Sequence, residues 1–327
     1  WRTIALVAAY ALALIGLALL SPDDAIRRKV FAHKDDMLTA AVANIDEPLK
    51  KRDTPVYWHI AKSGGSSMKV YYGCMDLVLA TQRGTMEGHE HDKRLQVWVK
   101  SRKAKFVNVD TASDEGIDKA KRLGLAKSGL ADVIFTQNPP KLSAMFRPNY
   151  RARFFALFRH PIERAASMFH YSQVASWEAR EDLYHPERKD KTFEQWLKEY
   201  DQIGEFSNFY MKRLLNKFKF TDEDLETAKE IIRTKFIVGL LTEMEESVER
   251  FDKYFGWHDK EVRPECQKQS IQTGYNRNPH DLTERGGEAW NILAAVNEYD
   301  LPLYVYIVEL YHKQGELFRE NKAEETA

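Results

Sequence analysis

Cysteine is nearly absent: Cys74 and Cys266 are the two in 327 residues. That excludes a disulfide-framed fold and leaves two options, one bridge in an oxidising compartment or two buried thiols. Net charge is absent too, with 49 basic against 49 acidic side chains, so no global attraction to nucleic acid is built in. There is no Asn-x-Ser/Thr sequon, which neither supports nor excludes a secretory route. No internal repeat and no long low-complexity tract occurs, which sets aside solenoids and unstructured linkers. The phosphate loop GxxxxGK[ST] is missing as well: Lys62 precedes Gly64 and Gly65 instead of following them, which argues against a P-loop kinase.

What is there begins with YWHIAKSGGSSMK at residues 57–69. Val56 to Ile60 are β-branched, aromatic or apolar and predict a buried strand. Gly64 and Gly65 allow a tight turn and close backbone approach. Ser66 and Ser67 can open a helix at its positive end. Strand, glycine turn and helix N-terminus together form a geometry that can cradle a phosphate or sulfate, with Lys62 and the serine hydroxyls as further donors. An ordinary strand-to-helix turn is the plainer alternative. The second segment is FFALFRHPIERAASMFHY at 154–171. Its strand predicts Arg159 at a C-terminal edge, where α/β sheets bind ligands. Pro161 suits a first helical turn, and Ser167 lies two turns further on.

His59-Ile60-Ala61-Lys62-Ser63-Gly64-Gly65-Ser66-Ser67 resembles the 5′-phosphosulfate loop of the membrane-bound carbohydrate sulfotransferases, which usually reads HIPKTGGTS. Arg159-His160-Pro161, Arg164 and Ser167 resemble that family's R-[DE]-P-x-x-R-x-x-S motif, with His160 in place of the acid. SNFYMKRLLN (207–216), KFIVGLLTEMEESVERFDKYFGW (235–257) and NEYDLPLYVYIVEL (297–310) are similar to its later segments. The resemblance covers roughly residues 55–312. It implies 3′-phosphoadenosine-5′-phosphosulfate (PAPS) as co-substrate and no metal. Lys62, Ser63, Gly64, Gly65, Ser66 and Ser67 would hold the 5′ end, with Arg159 and Ser167 on the 3′-phosphate. Arg277, in the late polar loop GYNRNPHDL (274–282), is a further nucleotide contact by position.

Residues 4–20 are an uninterrupted run of 17 uncharged, mostly apolar residues, at the short end for a membrane span. A cleaved signal peptide is the competitor. With the resemblance, residues 1–21 read as a type II Golgi signal anchor, 22–54 as a stem, 55–320 as a lumenal sulfotransferase domain and 321–327 as a charged tail. Strands are expected at 55–60, 105–111, 131–136, 153–159 and 235–240. Helices are expected at 65–80, 114–127, 140–147, 161–180, 192–201, 205–217, 221–234, 242–256, 284–296 and 299–319. Their alternation predicts an α/β fold, a parallel sheet with helices on both faces. The resemblance makes it like a P-loop nucleotide kinase in fold without the usual P-loop.

Sulfuryl transfer is an in-line displacement in which positioning and charge stabilisation do the work. Lys62 is the candidate for the bridging oxygen of the leaving phosphate. The related heparan sulfotransferases place a catalytic histidine after the preceding strand, but ADVIFTQNPPKLSAMF (131–146) has none; Gln137 and Asn138 fall nearest. Amides are not bases at neutral pH, so the base lies elsewhere or the chain only binds nucleotide. His89 and His91 in GTMEGHEHDK are the candidate bases, with Glu87, His59 and His170 behind them. His160 is a possible 3′-phosphate contact or a helix cap. Lys93, Arg94, Lys100, Arg102, Lys103 and Lys105 cluster in sequence and could steer an anionic carbohydrate acceptor, or form a solvated face.

Overall fold

The computed structural model describes residues 37, 39–82, 88–89, 91–100, 104–176, 183–199, 204, 206–274 and 280–318. The expected anchor, Glu87, Arg102, Lys103, Arg277 and the charged tail lie outside these residues. Among the described residues no helix is long and apolar enough to cross a membrane.

Seven strands form one sheet: β1 (Thr54–Trp58), β2 (Val78–Thr81), β3 (Val97–Val99), β4 (Lys105–Asp110), β5 (Val133–Thr136), β6 (Ala152–Phe158) and β7 (Phe236–Leu240). Their spatial order is β3-β4-β2-β5-β1-β6-β7. All pairings are parallel except β3 with β4. The helices are α1 (Gly65–Cys74), α2 (Asp114–Leu123), α3 (Leu125–Ser128), α4 (Pro139–Ser143), α5 (Pro161–Ser172), α6 (Phe193–Glu199), α7 (Phe209–Leu215), α8 (Asp222–Lys235), α9 (Met244–Phe255), α10 (Arg263–Gln267), α11 (Glu288–Val296) and α12 (Asp300–Gln314). Successive side chains of a strand point to opposite faces, and both faces are covered. Val56, Trp58, Phe154, Ala156 and Phe158 enter one core. Tyr57, Phe155 and Leu157 enter the other, with Tyr71 and Tyr72 of α1. This is why β1 and β6 read as continuous apolar runs rather than as alternating ones.

The five expected strands are present, and two more were not anticipated. The helix expected over 65–80 ends at Cys74. Asp76 turns the chain with φ at 61°, and Val78–Thr81 becomes β2, buried between β4 and β5. Sheet pairing there outweighs the continuous apolar run that suggested helix. β3 is a three-residue edge strand, too short to announce itself. The helix expected over 161–180 closes at Ser172, and α10 occupies a stretch expected to be irregular. The folded domain also begins before residue 55. Met37, Val42 and Ala43 are buried, Val42 bridges to Ala152, and the ammonium of Lys235 donates to Val42 O and Asn44 Oδ1 at 2.9 and 2.7 Å. The C-terminal part of the expected stem is thus part of the core. Cys74 and Cys266 are joined, with Cα atoms 5.6 Å apart, which decides between the two options left open by the sequence.

β1 connects leftward through α1 to β2, whereas β6 leads rightward through α5 to β7. The crevice between the C-terminal ends of β1 and β6 is therefore the topological switch point, where open α/β sheets hold ligands.

Candidate anion site at the switch point

The turn after β1 is held by its own backbone. His59 N–H donates to Thr136 O at 2.7 Å, and Ser63 N–H to Ile60 O at 3.2 Å. Lys62 and Gly64 both take left-handed φ values, 67° and 82°. Lys62 pays no such cost lightly, since its Cβ crowds the backbone in that region. Gly65 has a different reason to be glycine: a Cβ there would fall 2.0 Å from His59 Cδ2. The imidazole lies against the first turn of α1. Burial, followed by the charges of Lys69 and Lys62, drives its pKa down to about 3. His59 is therefore neutral at physiological pH and a poor general base.

The N-terminus of α1 differs from those of its neighbours. Gly64 caps it without a side-chain hydrogen bond, and no acid lies in its first turn. By contrast α2 carries Asp114 and Glu115, α8 carries Asp222, Glu223 and Asp224, and α9 carries Glu245 and Glu246 in theirs. Those helices supply their own negative charge; α1 leaves its positive end unneutralised. Ser63 is fully buried, and its hydroxyl makes no hydrogen bond among the described residues. A lone buried hydroxyl is costly, and this one lies in the turn between β1 and α1.

Arg159 stands one residue past β6. Its Nη1 donates to Lys62 O at 3.1 Å, tying the two loops together, and its Nη2 faces His280 Nε2 at 3.5 Å. No carboxylate pairs with it among the described residues. Burial lowers its pKa, opposed mainly by Glu163, but a guanidinium stays charged. Tyr210 fixes its backbone: the hydroxyl donates to Arg159 O at 2.5 Å and lies 3.2 Å from Arg159 N. Ser167 is buried on α5. It sits one turn before Tyr171, on the same helix face, and Tyr171 carries the Lys62 ammonium 3.4 Å from its ring centroid.

The three weaker segments act as scaffold. Asn208 N–H donates to Asn297 Oδ1, while Asn208 Oδ1 accepts from the N–H groups of Tyr299 and Asp300. The fully buried Asp300 accepts from Tyr210 N at 2.8 Å and Met211 N at 3.0 Å. Burial raises its pKa to about 6, against those two bonds and the charges of Arg164 and Lys212. This clasp positions Tyr210 and, through it, Arg159. In the third segment, a Cβ on Gly239 would lie 2.6 Å from Phe251, and Ser247 Oγ accepts from Leu240 N at 2.9 Å.

The remaining candidates separate. His160 makes no capping bond; its ring stacks on Trp290 at 5.0 Å. Arg164 lies under Phe209, 3.9 Å from the ring centroid, and belongs to the packing. Asn138 caps α4 through Lys141 N and donates to Asp114. His170 stacks on His280 at 4.7 Å. His89 lies at the far edge: Nδ1 is 2.9 Å from Asp92 Oδ2, and the ring packs on Trp98 of β3. Asp92 is held in turn by Asn108 and Gln96, while His91 is exposed. β4, which carries Asn108, is three strands from β1, roughly 14 Å at ordinary spacing. Among the described residues no group of three or more His, Cys, Asp or Glu converges as a metal site.

Sequence reasoning missed His280, Tyr171, Tyr210 and Glu163. Each lay in a segment already singled out: Glu163 and Tyr171 in 154–171, Tyr210 in 207–216, and His280 in the polar loop 274–282, from which Arg277 was chosen. A cleft of about 630 Å³ lies elsewhere, between α9 and the end of α12. Its lining is of mixed charge, with Glu243, Glu246 and Glu249 beside Arg250 and Lys253.

The chain matches no family model, and no curated protein is significantly similar to it.

Proposed function

We propose that the chain binds PAPS across the switch point and transfers its sulfuryl group to a carbohydrate hydroxyl. One observation carries the reading: Arg159, cationic and with no carboxylate paired to it among the described residues, adjoins a helix N-terminus that has no acid in its first turn. A nucleotide with anionic groups at both 5′ and 3′ ends matches two such positions. The 5′-phosphosulfate would lie on the N–H groups of Gly65, Ser66 and Ser67 with the Ser63 hydroxyl. The 3′-phosphate would lie on Arg159 and Ser167. The fold reading that goes with it is the P-loop-like sulfotransferase type.

In the transfer, the acceptor oxygen attacks sulfur as the bridging S–O bond breaks and 3′,5′-adenosine bisphosphate (PAP) leaves. Lys62 stabilises the departing phosphate. It must first leave the Tyr171 ring, a cation–π contact of roughly 0.5–2 kcal/mol, smaller than the gain from a charge-assisted bond to phosphate. The acceptor proton goes to the β2–β3 loop. His89 is the better-formed base, because Asp92 holds Nδ1 and leaves Nε2 for the proton; His91 is the other candidate. Either role requires the histidine to be carried to the switch point, because a base must reach the hydroxyl that attacks sulfur and β4 lies three strands from β1. Lys93 and Arg94 are exposed there, beside a depression of about 290 Å³ that they line with Asp92 and Gln96. Lys105 of the same patch is paired with Asp76. The disulfide and the apolar run at 4–20 support a Golgi membrane location.

The distance of His89 from the switch point favours a second reading, a PAP-binding protein without turnover. The test is calorimetric binding of PAP to the full chain, with Arg159→Ala and ATP as controls. Tight PAP binding, lost in Arg159→Ala and weak for ATP, supports the nucleotide site. No PAP binding by folded protein overturns it. His89→Ala and Lys62→Ala then separate enzyme from binder: an enzyme loses turnover, with PAP still bound by His89→Ala.

A further inference from the structure

His280 is the unexpected neighbour of Arg159, and its hydrogen bonds fix its state. Nδ1 lies 2.9 Å from Asp281 O. A carbonyl only accepts, so Nδ1 carries a proton, and Nε2 faces the Arg159 Nη2 donor as an acceptor. The loop bearing His280 is pinned to α5, where Thr283 N–H donates to Glu163 Oε1 at 3.0 Å. The opposite ring face of His280 rests on His170. The ring is thus held beside the Arg159 guanidinium. An anion seated on Arg159 would face the Nε2 lone pair and be repelled by it. Protonated at Nε2, the same ring becomes a second donor to that anion.

We propose that His280 is a ligand of the anion bound at Arg159, and that it takes up a proton as the anion binds. The inference rests on the reading that an anion occupies Arg159, but not on that anion being PAPS. The charged and titratable groups facing the pair are few. Arg159 and His170 lie against His280, and Asp281 adjoins it in its own loop. Glu163 on α5, Tyr210 on α7 and Tyr304 on α12 face Arg159. Burial, then His280, holds the His170 pKa below the ordinary histidine value, so His170 stays neutral beside a charged partner. An added anion offsets the Arg159 charge and tips His280 toward its charged form.

The consequence is linkage: affinity rises as pH falls through the histidine range, by up to about tenfold per pH unit for one proton. Calorimetry of the full chain at pH 7.5, in two buffers of different ionisation enthalpy, reads the proton count directly. The probes are PAP and inorganic pyrophosphate. About half a proton taken up per anion is expected in the native protein and in His170→Phe, and none in His280→Gln. His280→Gln should lower affinity about tenfold at pH 6 and little at pH 8.5. Arg159-dependent PAP binding without proton uptake, or uptake that survives His280→Gln, overturns the assignment and leaves the nucleotide reading intact. Pyrophosphate binding with His280-dependent uptake, and PAP binding no tighter, keeps the assignment and sinks the nucleotide reading. Binding of neither probe overturns both.

Discussion

Strand β6 has arginines at both of its ends, and the fold handles them in opposite ways. At its start, Arg151 and Arg153 converge on Asp53. Arg151 donates to both Asp53 oxygens and to Glu47. Arg153 donates to Asp53 Oδ2, to the carbonyls of Asn44, Glu47 and Pro48, and to Tyr254 Oη. At its finish, Arg159 has one backbone carbonyl and a facing imidazole. The first end buries its guanidiniums and the second half-buries one. One end neutralises them with protein groups, and the other leaves its charge for something from outside. The difference separates an arginine that holds the chain from one that the chain holds for use.

Substitution of Arg153 should have the largest effect. Arg153→Met leaves three part-buried carbonyls and one of the three arginine bonds to Asp53 unanswered, and a loss of roughly 3–5 kcal/mol is expected from urea unfolding. A loss under about 1 kcal/mol would break the contrast at its structural end. Opening Cys74–Cys266 comes next. The bond ties the end of α1 to α10 across 192 residues of chain, and Cys266→Ser should cost about 2–4 kcal/mol, seen as a lower Tm. Arg159→Met sharpens the other end. Stability should change by about 1 kcal/mol or less, because no carboxylate is stranded, while PAP affinity falls roughly 10–100-fold. A large stability loss with unchanged binding would make Arg159 structural.

The smallest effect is the acid limb. Arg151 pulls the Glu47 pKa below its ordinary value. Burial alone would raise that of Asp53, but Arg151 and Arg153 outweigh it and the net shift is downward. Carboxyls with lowered folded-state values contribute stability above the unfolded values, 4.5 for Glu47 and 3.8 for Asp53, and lose it as pH falls further. Urea midpoints should therefore drop below about pH 4, and drop less in Arg151→Met. If Arg151→Met keeps the full acid slope, the network is not its source.

Much of this was legible beforehand, and the exceptions have physical causes. Val56–Ile60 and Phe154–Phe158 announce central strands because both sheet faces are buried, so no polar alternation interrupts them. The turn at Lys62–Ser67 is legible because glycine pairs and serines have few other uses between a strand and a helix. β2 was hidden because an apolar tetrapeptide after a helix is helix or strand only according to what pairs with it. β3 was hidden because it is short and at an edge. The resting place of Lys62 on Tyr171 is a rotamer choice 109 residues away in sequence, which no local pattern encodes. His280 was overlooked for Arg277 because charge, not reach, guided the choice within that loop. The segments at 207–216 and 297–310 looked alike in weight, yet their meaning lies in the Asn208–Asn297–Asp300 clasp that joins them.

That clasp orders the protein's assembly in time. Arg159 leaves the ribosome early, but the aspartate that seats Tyr210 against it is made 141 residues later. At roughly 5–20 residues per second, the delay is on the order of 10–30 s. Throughout it, the nascent chain exposes an unsupported cationic loop, and until Phe236–Leu240 is made it also exposes the β6 edge that β7 covers. The binding site is thus among the last parts of the molecule to be born, and a chain cut short before Asp300 would lack it while still containing every residue proposed to touch the 5′ end of the nucleotide.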